Sequence, residues 1–434
     1  MAFRVEESRL RIGIQTWGSA GDIRPLIALA GGLRGAGHDV TLAATSLQNR
    51  DYSDLCGAVN VEYNRVPDHV DCDLSALREA FTTSSNSNRR LKLLLDRAFF
   101  PFVDDMCEAA TMLCDTNDLV IGHFAVYPLK VAAMKRGKPF ASVTFWRGLI
   151  PTAYLPPGGL PNLGRMLNPL QWKLVQTRID GGLKKDIGRL WLREGLPKLK
   201  HVLPEAWHSD SLNLVAISPV FCQQQPDWTP EHRVCGFLRL PDPAEPWEMP
   251  EGLCDFLNAG ERPVYMTLGA VQELAPEQCM ETMLEAAGEA GCRALIQTNS
   301  QHYPANSRDG GDRVYFMGRT PHHQIFRHCA AVVHHGGAGT THSATWAGLP
   351  SVVVAYGHER LCWGTDLARL GLGAKPLPIA EATPSKLARR IRNVLDSPPI
   401  RRRATELGEA MRRENGVARA VELVEDLASS CGLP

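Results

Sequence analysis

The run His334-His335-Gly336-Gly337-Ala338-Gly339-Thr340-Thr341 gathers residue types that suit a diphosphate. It follows an apolar, β-prone stretch at 331–333, and a helical pattern begins at once through Ser343, Ala344, Trp346 and Ala347. Residues without bulky Cβ groups let phosphate oxygens approach the backbone. The N–H groups of a helix's first turn point at such an anion, and the helix dipole favours its charge. A histidine at the strand end adds a hydrogen bond or a partial positive charge. The competing reading is a tight turn whose threonines cap the helix. The spacing is neither G-x-G-x-x-G nor G-x-x-x-x-G-K-S/T, which weighs against dinucleotide and P-loop sites.

Other candidates are narrower. Asp22 closes the turn Gly18-Ser19-Ala20-Gly21-Asp22 and stands shortly before Pro25, where its simplest work is helix capping. His322-His323 and His334-His335 are adjacent pairs. Neighbours on a strand point to opposite faces, so no metal site is expected from them.

These residues need elements to position them. An apolar β-prone run at 10–16, a helical pattern from Pro25 to about Gly35 and a second strand at 38–44 read as one strand-helix-strand unit of a parallel sheet. Similar units recur around 119–121, 129–136 and 140–145. Proline and glycine crowd 151–169 into a long loop, and a helix follows over 170–194. Pro241, Pro243, Pro246 and Pro250 mark a stiff linker. Beyond it strands at 263–268, 294–298, 314–317, 331–334 and 351–355 alternate with helices at 276–290 and from about Thr341. The fold class is α/β: two Rossmann-like doubly wound domains facing across a cleft. The expected borders are 1–237, a linker at 238–250, a second domain at 251–405, and a C-terminal helix at 406–434 packing back toward the first domain.

Bulk composition agrees. A chain of 434 residues exceeds what one core organises, and 44% hydrophobic with 22% charged residues suits an ordinary soluble protein. Lys plus Arg balances Asp plus Glu at 47 each, so no basic field draws the chain onto nucleic acid and the partner is a small molecule. Twelve scattered cysteines without a C-x-x-C pair suit reduced thiols and a cytoplasmic location. No export signal opens the chain and no apolar run reaches the ~18 residues of a spanning helix. The most apolar stretch, 91–103, is broken by Lys92, Asp96 and Arg97 and reads as a core helix rather than a membrane-touching patch.

Residues 334–364, HHGGAGTTHSATWAGLPSVVVAYGHERLCWG, resemble the donor signature of GT-B glycosyltransferases of the UDP-glycosyltransferase superfamily (family 1). The bacterial natural-product, sterol and rhamnolipid-type branch is the most similar. Pro321-His322 with Ile325-Phe326 is similar to the P-H-x-x-L-F run that precedes this signature. The segment from Gly18 through Asp22 to Pro25 resembles the family's G-S-x-G-D-x-x-P, and Gln225-Pro226-Asp227-Trp228 with Gly236-Phe237 resembles its approach to the linker.

The resemblance implies an inverting, metal-independent transfer of a sugar from a UDP or dTDP donor to a hydroxyl of a hydrophobic natural product, sterol or lipid. Donor and acceptor are the partners, no further cofactor is expected, and a homodimer is left open. His334 and the backbone of Gly336, Gly337, Ala338, Gly339 and Thr340 would bind the diphosphate, with His322 near the nucleotide. Gly269-Ala270 stands where the family has G-S, and Thr298-Asn299 where it often has an aromatic that stacks on the base. Glu359-Arg360 replaces the Asp/Glu-Gln pair that reads sugar hydroxyls. Glu359 still accepts hydrogen bonds, whereas Arg360 only donates, so an acidic, deoxy or otherwise modified sugar is expected over plain glucose.

Asp22 occupies the place of the family's general base, and His123 that of its supporting residue with the residue types exchanged. Trp146 and Tyr154, with Trp172, Trp207 and the 151–161 loop, would line the acceptor pocket. Asp71-Cys72-Asp73 has the D-x-D form of metal-dependent glycosyltransferases of another fold, but reads as fortuitous spacing in a polar loop. Two alternatives stand beside transfer: a GT-B nucleotide-sugar epimerase, and a non-catalytic homologue or scaffold suggested by Ala270 and Arg360.

Overall fold

The computed structural model describes residues 9–70, 87–241, 247–269, 276–298, 302–308, 312–318 and 320–433. Asp71-Cys72-Asp73, Ala270, Asn299 and the linker's centre at 242–246 lie outside the described residues. The chain divides between 242 and 243 and again between 413 and 414.

The first unit is a parallel sheet of β1 (Arg11–Gly18), β2 (Asp39–Ser46), β3 (Glu62–Arg65), β4 (Leu119–His123), β5 (Phe140–Thr144), β6 (Leu212–Val215) and β7 (His232–Val234) in the order β3-β2-β1-β4-β5-β6-β7. Helices α1 (Ala20–Gly35), α2 (Val103–Thr116), α3 (Tyr127–Arg136) and α4 (Asn168–Arg193) belong to it. The central strands are buried along their length, β4 and β5 at every residue, as crossover helices on both faces require. Two side-chain donors within β1 find backbone acceptors: Gln15 Nε2 donates to the Met106 carbonyl at 2.8 Å, and Trp17 Nε1 to that of Ala98 at 2.8 Å. From the apolar stretch, Leu95, Ala98, Phe99 and Phe102 join this core, with Phe99 stacked on Tyr127 at 5.5 Å and edge-on to Trp17 at 5.1 Å.

Two local expectations are corrected. Helix α1 begins at Ala20, so Pro25 lies inside it rather than at its start. Ser19 is the N-cap and Asp22 the third helical residue of a capping box, which satisfies the first-turn donors upstream of the proline. The C-terminal border falls after Arg413 rather than after 405, because a helix over Pro398–Arg412 runs unbroken across that position. The last helix, Gly416–Ser430, does sit on the first unit. A Cβ at Gly32 of α1 would lie 2.3 Å from Val417 Cγ1, and His38 Nε2 pairs with Glu425 at 3.2 Å.

The second unit repeats the plan with β8 (Val264–Thr267), β9 (Ala294–Gln297), β10 (Ser307–Arg308), β11 (Val314–Met317), β12 (Ala331–His334), β13 (Ser351–Ala355) and β14 (Leu377–Pro378). Their order is β10-β11-β9-β8-β12-β13-β14, with β10 antiparallel to β11 and the other pairs parallel. Alternate residues feed two cores: Val264, Met266 and Ile296 pack on one face, Tyr265, Leu295 and Tyr315 on the other. Helices α5 (Pro276–Ala290), α6 (Ala338–Trp346), α7 (His358–Arg369), α8 (Pro384–Leu395) and α9 (Pro398–Arg412) complete this unit.

Setting aside β7 at the edge of the first sheet and the antiparallel β10 at the edge of the second, each sheet has the doubly wound order 3-2-1-4-5-6. Winding reverses between β1 and β4 in the first unit and between β8 and β12 in the second. At such a break the loops leaving two neighbouring strands part in opposite directions, which opens a crevice at the carboxyl ends of the strands.

Candidate active site

In the first unit, Asp22, in the first turn of α1 after β1, and His123, the last residue of β4, meet at the carboxyl ends of these strands. Asp22 Oδ2 accepts hydrogen bonds from the Ser19 backbone N–H at 2.8 Å and the Ser19 hydroxyl at 2.9 Å. Its other oxygen, Oδ1, stands 3.9 Å from His123 Nε2. Capping therefore occupies one side of the carboxylate and orients it. Gly18 makes the fold-back possible: its φ is +136°, and a Cβ there would lie 2.4 Å from Asp22 Oδ2.

His123 is buried between Phe145, stacked at 5.7 Å, and Phe124, tilted at 4.5 Å. Neither ring nitrogen has a hydrogen-bond partner among the described residues. Burial depresses its pKa to about 3, so the ring is neutral near pH 7 and presents one N–H and one lone pair. The side chain of Asp22 is 36% exposed beside it. The sequence-level pairing of these residues is thus a close approach without a hydrogen bond.

In the second unit, β12 ends at His334 and α6 starts at Ala338 with Gly337 as N-cap, three residues earlier than the pattern indicated. The first helical bond shown is Thr341 N–H to the Gly337 carbonyl at 2.9 Å, which leaves the N–H groups of Ala338, Gly339 and Thr340 without partners inside the helix. Gly339 has open space where a side chain would be. Gly336 has φ +85°, and a Cβ there would come 2.7 Å from the Arg360 carbonyl. Its N–H donates to His334 Nδ1 at 3.1 Å, which fixes the His334 proton on Nε2, a donor that no described residue accepts.

The sequence reading passed over His335. Its ring lies where Cβ atoms on Gly269 and Gly337 would be, 2.8 and 2.4 Å away, and stacks on Tyr356 at 5.8 Å. Two glycines thus make room for an imidazole rather than for a phosphate. Arg360 lies over the other partner of this stack, 4.2 Å from the Tyr356 ring centroid. Desolvation lowers the pKa of His334 to about 3 and that of His335 well below its usual value; neighbouring His322 and Arg360 add repulsion. An anion placed among these groups would reverse that repulsion. The signal in the sequence was the aromatic four residues before Arg360, separated from it by Gly357.

The remaining expected residues divide by environment. Gly269, after β8, has φ +58° and donates its N–H to Thr267 Oγ1 at 3.3 Å. Thr298, just after β9, is buried, its hydroxyl donating to the Tyr303 carbonyl at 2.9 Å, so that hydroxyl holds a loop. His322 stacks on Phe326 at 4.6 Å. Glu359 and Arg360 both lie half-buried in the first turn of α7. Trp146 and Tyr154 are half-buried, whereas Trp172 and Trp207 are core residues; Trp172 Nε1 donates to the Leu155 carbonyl at 2.9 Å. Among the described residues no three His, Cys, Asp or Glu side chains assemble as a metal set, and the described cysteines are free thiols.

Residues 281–427 match the family model of the erythromycin biosynthesis protein CIII-like C-terminal domain. Over 97% of its length the chain is 28% identical to O-mycaminosyltylonolide 6-deoxyallosyltransferase of Streptomyces fradiae, covering 98% of that protein. Over 205 residues, 47% of the chain, it is 35% identical to a sterol 3-beta-glucosyltransferase of Arabidopsis thaliana, of which it spans 32%. Among solved structures, the kitacinnamycin glycotransferase superposes with a TM-score of 0.69 at 20% identity, covering 98% of this chain and 100% of the other. A calicheamicin glycosyltransferase gives 0.68 at 17% identity, covering 97% and 98%. These two similarities establish a shared fold.

Proposed function

We propose that the chain is a GT-B glycosyltransferase of family 1 of the UDP-glycosyltransferase superfamily and catalyses an inverting transfer of sugar from a UDP or dTDP donor to a hydroxyl of a hydrophobic acceptor. One observation carries the reading. At the winding break of the first sheet, a carboxylate held on one side by its own capping box keeps its second oxygen beside a neutral imidazole.

Asp22 takes the acceptor's hydroxyl proton as that oxygen attacks the anomeric carbon. The bond from that carbon to the diphosphate breaks, its electron pair leaves with the phosphate, and configuration inverts. Charge developing on the diphosphate meets the first-turn N–H groups of α6 and the Nε2–H of His334. His123, neutral and rigidly packed, positions Asp22 without neutralising it. Magnesium has no step in this scheme.

The acceptor class follows the relatives, one named for transfer to O-mycaminosyltylonolide and others for sterols. Arg360 in place of an amide, together with a relative named for a 6-deoxyallosyl unit, supports a deoxy or otherwise modified sugar. Incubating the purified chain with UDP- and dTDP-sugars and macrolide or sterol alcohols tests this by mass and by anomeric NMR. An inverted glycoside supports it; a retained configuration, or neither transfer nor donor hydrolysis across the panel, would reject it.

A further inference from the structure

No Asp or Glu stands between Asp118 and Asp180, in a chain whose acids and bases are otherwise equal in number. Arg165, Lys173 and Arg178 fall in the second half of that stretch, which also holds the largest group of exposed apolar side chains among the described residues. Met166 is 90% exposed and Leu174 66%, and Leu160, Leu163, Leu167 and Leu170 accompany them. The loop that presents them is firmly built. Asn168 Nδ2 donates to the Ala153 and Asn162 oxygens, Gln171 Nε2 to the Pro161 carbonyl, and Asp227 accepts from Thr152 and Ala153. These exposed leucines are therefore displayed by an ordered scaffold.

The outward face of α4 continues the pattern with Leu170, Lys173, Leu174, Arg178, Lys185 and Arg189. Its two acids are turned in and engaged, Asp180 with His201 at 2.7 Å and Asp186 with Lys92 at 3.1 Å. A patch that combines these exposed apolar side chains with the exposed cations Arg165, Lys173 and Arg178 selects its partner. A second copy docked by the same face would set Lys173 and Arg178 against their own counterparts. An anionic bilayer instead pairs with those charges at the headgroups and takes the leucines and methionine below them. No described helix is long and apolar enough to cross a membrane, so the segment would lie on the surface.

We propose that the 160–167 loop and the first turns of α4 form a docking surface for an anionic lipid bilayer. It concerns this surface alone and stands apart from the transfer reaction. The test is flotation of the full chain with phosphatidylcholine vesicles and with vesicles containing phosphatidylglycerol, at low and high salt. Wild type floats with the anionic vesicles and far less with the neutral ones or at high salt. M166D/L170D/L174D and, separately, K173E/R178E each lower the bound-to-free ratio about tenfold or more. Unchanged circular dichroism and melting temperature show that these surface variants fold. Failure of wild type to float, or flotation indifferent to both variants, would overturn the proposal. So would a dimer in sedimentation velocity that M166D/L170D/L174D dissociates while vesicle binding is absent.

Discussion

Asp22 Oδ1 and His123 Nε2 stand 3.9 Å apart at the carboxyl ends of β1 and β4, where the first sheet reverses its winding. The carboxylate's other oxygen is bonded to Ser19, so a residue of the capping box also stands beside His123. The two uses are separable, and this makes the site open to test.

Removing the Ser19 hydroxyl should weaken the cap while leaving the carboxylate in place. Ser19→Ala should lower stability by about 1 kcal/mol, read by urea denaturation. An unchanged midpoint would show that the capping box contributes nothing.

Gly18→Ala should be harsher. Its φ of +136° disfavours any side chain, and the new methyl meets Asp22 Oδ2 at 2.4 Å. A loss of about 1–3 kcal/mol is expected, together with a fall in turnover beyond that of Ser19→Ala. Wild-type stability and turnover in this variant would contradict the described fold-back.

Gly336 is the corresponding position in the second unit. An alanine methyl would lie 2.7 Å from the Arg360 carbonyl at a φ of +85°, displacing α6's first turn from the residues beside it. Gly336→Ala should abolish the rise in melting temperature that UDP or dTDP gives the wild type, because only a ligand bound to the folded state raises it. An undiminished rise would place the diphosphate elsewhere.

Acid should destabilise the protein early. Burial holds the folded-state pKa of His123, His208 and His334 near 3 and that of His342 near 4. In the unfolded chain these rings take up protons below about pH 6.5. Between those values the unfolded state binds more protons, so stability is complete above pH 6.5 and falls as pH drops toward 4. Each ring removes up to about 1.4 kcal/mol per pH unit. Melting temperature followed from pH 7.5 to 5 should decline steeply; a flat profile would show these imidazoles accessible to protons in the folded state.

The two doubly wound α/β units were legible in the sequence because they rest on period and punctuation: apolar runs, glycine turns and the ordered motifs around Asp22 and His334. Boundaries were less so. Pro25 suggested a helix start, yet the Ser19–Asp22 capping box sets it at Ala20. Nothing in a linear pattern reports that the His335 ring fills the space beside Gly269 and Gly337, or that Thr298 spends its hydroxyl on the Tyr303 carbonyl. Such facts belong to packing between distant segments, and spacing along the chain does not encode them.

The account turns on Asp22 as the base, and the single-turnover transfer rate of Asp22→Asn with saturating donor tests it most directly. Asparagine can still accept the Ser19 N–H, so folding and nucleotide affinity should stay near wild type. The rate should fall by about 10²-fold or more. A rate close to that of the wild type would contradict the assignment.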